Sequence, residues 1–312
     1  MELWEGKAKA GPHMHAMHSF YSVGALLGPI VTKPFLSHTI PADPNDPTDL
    51  SEPVKVPSQI AILYAIVGLA PILTFVGLFA FGAYDLCRND PEVKSEEDEV
   101  KGEAPRGGRA LKASFLAVMF LVYMIYVATE MCIGVFVPTF AVLSDLGLDK
   151  FGGANLLTAF LSGFVLTRLV AIFVSFKVTP RVILAVNLTT ASLGNTLLIA
   201  LGRDYAEAAF VGYFVIGAGT GSMYANAVNW MQDYVKVDSK VTGMIGIAGC
   251  LGAASLPSVM GQLIEWHPNS LIYAHFTSNF VLVILFSTAA LIGKGLLRPK
   301  AEKVEKPVST SL

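Results

Sequence analysis

Charged side chains are scarce in this 312-residue chain. Asp, Glu, Lys and Arg together make up 15% of it, against about a quarter in soluble domains. An excess of positive charge is lacking as well, because 22 Lys and Arg stand against 24 Asp and Glu, which leaves no basic field for nucleic acid. Three cysteines cannot form a disulfide framework. Alternating runs of about ten residues, the signature of barrel strands, are also missing. These shortages count against a soluble enzyme, a nucleic-acid binder and a small secreted scaffold. What is present is apolar: 53% of the residues are hydrophobic, and they are gathered into long uncharged runs. The chain reads as an all-α, polytopic membrane protein.

Each run exceeds the roughly 20 residues that cross about 30 Å of hydrocarbon. We expect eight helices, near 14–33, 59–83, 113–138, 152–176, 182–202, 208–231, 241–264 and 271–293. Glu130 and Arg168 each interrupt one of them. Alternate connecting segments divide the Lys and Arg 17 to four, with Arg168 left over. The positive-inside rule then puts both termini in the cytoplasm.

The spans are unevenly grouped. Residues 85–112 hold Glu96-Glu97-Asp98-Glu99 followed by Arg106, Arg109 and Lys112, which reads as a cytoplasmic charged linker. It separates two helices in 1–84 from six in 113–293, and 294–312 reads as a cytoplasmic tail. The outer loop 38–58, with five prolines, should be extended and irregular. Six helices behind a charged linker look like one complete half of a two-half transporter. The expectation is therefore a chain that starts late in a longer pattern.

Particular residues carry a resemblance. Pro12, His18-Ser19-Phe20, Gly24-Ala25 and Pro29 look like the entry of a fifth helix of the major facilitator superfamily. Tyr126-x-x-x-Glu130 with Phe136 and Thr139-Phe140 resembles its seventh. Asn155, Thr167-Arg168-Leu169 and Lys177-x-x-Pro180-Arg181 resemble its eighth helix and the loop behind it. Within the superfamily the chain is most similar to the sodium-dependent glucose transporter branch, akin to fucose-permease-like sugar symporters. It looks like an N-terminally truncated member covering helices five to twelve. The branch usually has glycine where Thr167 stands. The resemblance implies sugar transport by alternating access, coupled to Na⁺ or H⁺, at the plasma membrane. It implies a small sugar and the lipid bilayer as partners, and no cofactor.

Glu130 is the sharpest signal, because a carboxylate in mid-span costs several kcal/mol unless it is paired or faces water. A protonated or cation-bound Glu130 would serve as a coupling group. A neutral, hydrogen-bonded one would be merely structural. Arg168 could latch the cytoplasmic side through nearby carbonyls, contact sugar hydroxyls, or snorkel to the interface. Asn155, Asn226, Asn229 and Trp230 supply amides for hydroxyls and an aromatic face for a sugar ring, although Trp230 also suits a membrane interface. His13, His15 and His18 do not share one face, so a metal site there is disfavoured. His18 is retained as a cavity residue. Gly217-Ala218-Gly219-Thr220-Gly221-Ser222 reads as close helix packing and not as a phosphate loop. Gly243 to Gly252, and Gly24 with Gly28, read the same way. No nucleophile with a base nearby argues for an enzyme. The alternative to a sugar symporter is a non-transporting short form that regulates or assembles with a full-length transporter.

Overall fold

The computed structural model describes residues 7–40, 54–87 and 108–297. Nine helices dominate them: α1 (Lys7–Thr32), α2 (Ile60–Cys87), α3 (Arg109–Leu143), α4 (Lys150–Val174), α5 (Pro180–Ala200), α6 (Ala206–Thr220), α7 (Met223–Met231), α8 (Ser239–Leu263) and α9 (Ser270–Leu297). Most of the charged stretch (88–107), most of the outer loop (41–53) and the tail beyond Leu297 lie outside the described residues. The two ends of that outer loop are not irregular. His38–Ile40 (β1) pairs antiparallel with Val54–Val56 (β2), which satisfies backbone groups that a loop would leave to solvent.

Local chemistry sets the helix ends. Asp149 accepts from the Gly152 amide at the start of α4, and Asp238 from the Val241 amide at the start of α8, each satisfying one orphan N–H. Pro180 opens α5 where no donor is needed. Gly147, in the α3–α4 turn, has φ 68°, a left-handed backbone that glycine adopts without strain. Pro138 and Pro257 lie inside continuous helices, as spans packed against neighbours tolerate.

Among the described residues, seven helical stretches are long and apolar enough to cross a membrane, with α6 and α7 counted together. The sequence pattern indicated eight. The difference is α1, whose histidines, serines and lysines dilute its hydropathy. Its polarity is one-sided. His15, Ser19 and Ser22 recur at i, i+4 and i+7 and are buried, while Met17, Phe20, Leu27 and Ile30 are exposed. A helix with polar groups inward and apolar groups outward suits a lipid surround.

Five of the six spans after the charged stretch close a ring, α3–α4–α6–α5–α9, and α8 packs beside it on α3. Helix α3 packs on α4, α8 and α9, helix α6 on α4 and α5, and α5 on α9. Helix α1 lies along α4 and touches α7. Glycines allow the closest approach. A Cβ at Gly163 would strike the Phe214 carbonyl, and one at Gly217 or Gly221 would strike Phe160 or Phe164 of α4. Gly219 fits against Ala191 of α5 and Gly252 against Met124 of α3. The expectation fails at Gly24, Gly28, Gly243 and Gly246, where a Cβ would meet nothing within 4 Å.

The apolar core is split in two. One cluster gathers Tyr123, Tyr126, Met223, Trp230, Ile245 and Phe286, and the other Ile133, Phe140, Phe160, Tyr213, Ile216 and Leu271. Along each helix the chain passes from one cluster to the other through a short polar interval: Thr129 and Glu130 on α3, Thr220 to Ser222 between α6 and α7, His275 and Asn279 on α9. These intervals fall at the same level and make a polar layer across the bundle.

Candidate functional site

The layer is built around a broken helix. The sixth apolar span stops at Thr220 and resumes at Met223. At the junction the Gly221 N–H still donates to the Gly217 carbonyl and the Ser222 carbonyl still accepts from the Asn226 N–H, while the Thr220 and Gly221 carbonyls turn to side chains. Carbonyls freed in mid-membrane must find donors. Tyr126 donates its hydroxyl to the Thr220 carbonyl at 3.1 Å, and Arg168 Nε donates to the Gly221 carbonyl at 2.5 Å. Asn226 Nδ2 reaches back to the Ser222 carbonyl at 2.9 Å, and Asn187 Nδ2 donates to Ser222 Oγ at 2.8 Å. Asn187 is itself buried, 3% exposed. The glycines of 217–221 pack closely, as their spacing indicated, and they also end the helix.

Arg168 is the hub, 4% exposed. Its Nη1 donates to the His18 carbonyl at 2.8 Å and to Ser22 Oγ at 2.6 Å, which fastens α1 to α4 and to the break. Its guanidinium carbon lies 4.2 Å from the Phe164 ring centroid and 5.9 Å from that of Tyr21, the range of cation–π attraction. Its Nε and Nη1 donors are thus committed to carbonyls and to one hydroxyl inside the bundle. Arg181, in the turn behind α4, donates to the Tyr234 hydroxyl.

Glu130 lies within the field of Arg168 and beside the Tyr126 hydroxyl, with Tyr21 and Tyr224 also within its electrostatic reach. Charge attraction of this kind is strong where water is scarce. His18 and Tyr224 have ring centroids 5.2 Å apart, and Tyr123 and Tyr126 flank Tyr224 at 5.1 and 6.2 Å. The histidine most deeply placed is His15 rather than His18. It is fully buried, with Nε2 3.3 Å from Asn226 Oδ1.

Two large cavities flank the layer. One, of ≈ 760 Å³, is lined by Met14, His18, Tyr224, Val228, Lys236 and Thr242 among others; the second, of ≈ 510 Å³, by Gly28, Pro29, Thr32, Tyr64, Pro138 and Lys150 among others. Both are in the size range of small-molecule sites. Along α1 they are separated by the stretch that holds Arg168. Each therefore ends near the layer from the opposite side.

The structure brings Glu130, Arg168, His18 and Asn226 into one neighbourhood. It keeps three expected residues apart. Asn155 is exposed and accepts from Lys33 Nζ, beside the Lys150–Ser37 contact at the far end of α1 and α4. Trp230 is buried against Phe115, Tyr234 and Phe286, so it serves the core. Asn229 is half-buried on α7. Tyr224, Ser22 and Asn187 were not singled out in the sequence. Ser22 had a legible signal, because it stands four residues from His18 on the same helix face.

Comparisons with known proteins agree with this geometry. A family model described as Major Facilitator Superfamily matches residues 12–257 and also 119–311. The sodium-dependent glucose transporter 1 of Xenopus laevis is 25% identical over 295 residues, covering 92% of this chain and 58% of that protein. The human protein of the same name is 25% identical over 310 residues, covering 95% and 56%. The chain thus spans somewhat more than half the length of these relatives. The crystal structure of FucP, a superfamily transporter in the outward conformation, superposes with a TM-score of 0.60 at 16% identity, over 91% of this chain and 69% of that one. The E. coli fucose:proton symporter superposes at 0.59. This is a likeness of fold, and with the family match and the broken-helix site it closes the question of ancestry: the chain is a multi-pass membrane protein and belongs to the Major Facilitator Superfamily.

Proposed function

We propose that this chain handles a sugar such as glucose as a secondary active transporter, or as part of one, moving it by alternating access coupled to Na⁺ or H⁺. The observation that carries the reading is the Arg168 hub. One buried cation ties α1, α4 and the α6–α7 break together between two cavities that approach from opposite sides. Releasing α1 from Arg168 would let one cavity deepen as the other closes. The sugar would sit against Tyr224 and His18, with Asn226 behind them and Asn229 on the same helix. Glu130 would be the coupling group, and Arg168 the latch or a hydroxyl contact. Relatives named sodium-dependent glucose transporters support the sugar class. On this reading α3–α9 make a C-terminal half, α1 and α2 correspond to the two helices before it, both termini face the cytoplasm, and the membrane is the plasma membrane.

The test is labelled-glucose uptake by the purified chain in proteoliposomes under an imposed Na⁺ or H⁺ gradient, alongside glucose binding by the same preparation. Gradient-driven uptake that fails in Glu130→Gln supports the full proposal. Binding without flux supports the alternative of a short form that assembles with a full-length transporter. Neither binding nor flux, from protein shown to be folded, overturns both.

A further inference from the structure

Behind the hub lies a second polar space that the Arg168 network does not use. It has a volume of ≈ 20 Å³ and is lined by Tyr126, Thr129, Glu130, Asn195, Thr220, His275 and Asn279 together with apolar neighbours, room for one water-sized occupant. Its hydrogen-bond balance is lopsided. Asn195 spends Nδ2 on the Ala191 carbonyl, and Asn279 spends Nδ2 on Ser192 Oγ. Thr129 and Thr220 donate to carbonyls of their own helices, and Tyr126 to the Thr220 carbonyl. These side-chain donors on the wall are thus directed away from the space, while oxygen lone pairs remain. Asn195 Oδ1 and both ring nitrogens of His275 are buried without a partner, in residues only 3% and 1% exposed. Rotating the Asn195 amide to supply a donor would set its oxygen against the Ala191 carbonyl, so the orientation is fixed by chemistry. Neutral His275 carries one N–H and one lone pair, so with Asn195 Oδ1 the wall offers two unpaired acceptors against one unpaired donor beside a carboxylate, a balance that favours a positive occupant.

We infer that Glu130, Asn195, Asn279 and His275 form a binding pocket for a small monovalent cation, Na⁺, between α3, α5 and α9. The carboxylate supplies the charge, the two amide oxygens and the threonine hydroxyls supply hard ligands, and one imidazole nitrogen lone pair completes the shell. A divalent ion would need six or more oxygen ligands, whereas this pocket offers one carboxylate. Among the described residues no group of three or more His, Cys, Asp or Glu could hold a transition metal. Arg168 stands on the other side of the break, where it is occupied by Gly221, His18 and Ser22. The ion therefore adds the positive charge that this side of Glu130 lacks. The inference rests on the coupling role proposed for Glu130 and names its partners.

The experiment is thermal unfolding of the purified chain in nanodiscs as NaCl replaces KCl or choline chloride at constant ionic strength, with ²²Na⁺ binding measured on the same sample. Na⁺ should raise Tm where K⁺ and choline do not. Asn195→Ala should weaken the half-saturating Na⁺ concentration about tenfold. Asn195→Asp, which keeps the shape, should tighten it by adding a second carboxylate. The inference is overturned if Na⁺ stabilises no better than choline, or if both Asn195 variants titrate like the parent, the result expected of a pocket that holds water or a proton. Glucose binding on the same preparation separates the two proposals. Glucose bound without any Na⁺ effect removes the ion pocket and leaves the sugar reading. A Na⁺ effect without glucose binding does the reverse.

Discussion

The break between α6 and α7 has two sides, and the protein treats them differently. On the α1–α4 side the freed carbonyl of Gly221 meets a resident cation, Arg168, whose donors are committed to it and to α1. On the α5–α9 side the wall keeps an unpaired acceptor, Asn195 Oδ1, and an imidazole, His275, with neither ring nitrogen paired. Glu130 belongs to both, because Arg168 acts on it and it lines the small space. The contrast teaches that a mid-membrane polar layer can be stabilised by a fixed charge on one face and left in need of an exchangeable one on the other. On the proposed reading the fixed charge serves as the latch and the exchangeable one as the coupling ion.

The largest effect should come from removing the fixed charge. Arg168→Met strands the Gly221 carbonyl and unfastens His18 and Ser22 of α1, and should lower stability by about 2 kcal/mol or more, visible as a drop in Tm, with sugar handling lost. Arg168→Lys should restore part of the stability but not the fork that holds both α1 and the break. If the methionine variant keeps both Tm and activity, the latch is wrong. The next effect lies in the close packing that positions the break. Gly217→Ala drives a Cβ into the Phe160 carbonyl and should cost about 1–3 kcal/mol. Gly28→Ala, with nothing within 4 Å, should leave Tm nearly unchanged or slightly raised, and equal effects at the two positions would refute the packing argument.

Glu130→Gln sharpens the comparison most directly. It removes the charge shared by the two sides while keeping a hydrogen-bonding shape. Folding should change by no more than about 1 kcal/mol, while any response to Na⁺ should vanish. Asn155→Ala should do least, within about 0.5 kcal/mol in stability, because its side chain is exposed and touches only the Lys33 ammonium at the helix end. A large loss there would move the site toward that end of α4.

Legibility followed the kind of interaction. Glu130 and Arg168 were visible because a charge in a 20-residue apolar run is conspicuous by cost alone. Gly217, Gly219 and Gly221 were visible as packing, but their second role as a helix break was not, since a small-residue stripe inside a continuous helix reads the same. His15 was passed over while His18 was kept, for the spacing of the three histidines argued against metal and could not reveal Asn226, 211 positions away. Trp230 and Asn155 were drawn toward the site by residue type, and the fold put one in the core and the other at a helix end. His275 and Asn279 gave no signal at all, because single polar residues in an apolar helix acquire meaning only from what faces them.

The sequence by itself determined the medium, the helical class and the two mid-span charges, and it indicated eight spans where seven of the described helices are apolar enough to cross. Those follow from the cost of transferring residues into hydrocarbon, a property that is summed locally along the chain. Only the tertiary structure decided which carbonyls Arg168 ties together, that α1 turns its polar face inward, and that acceptors of α3, α5 and α9 converge on one small space. Such convergence depends on helix rotation and crossing, which are set by close contacts between residues far apart in sequence.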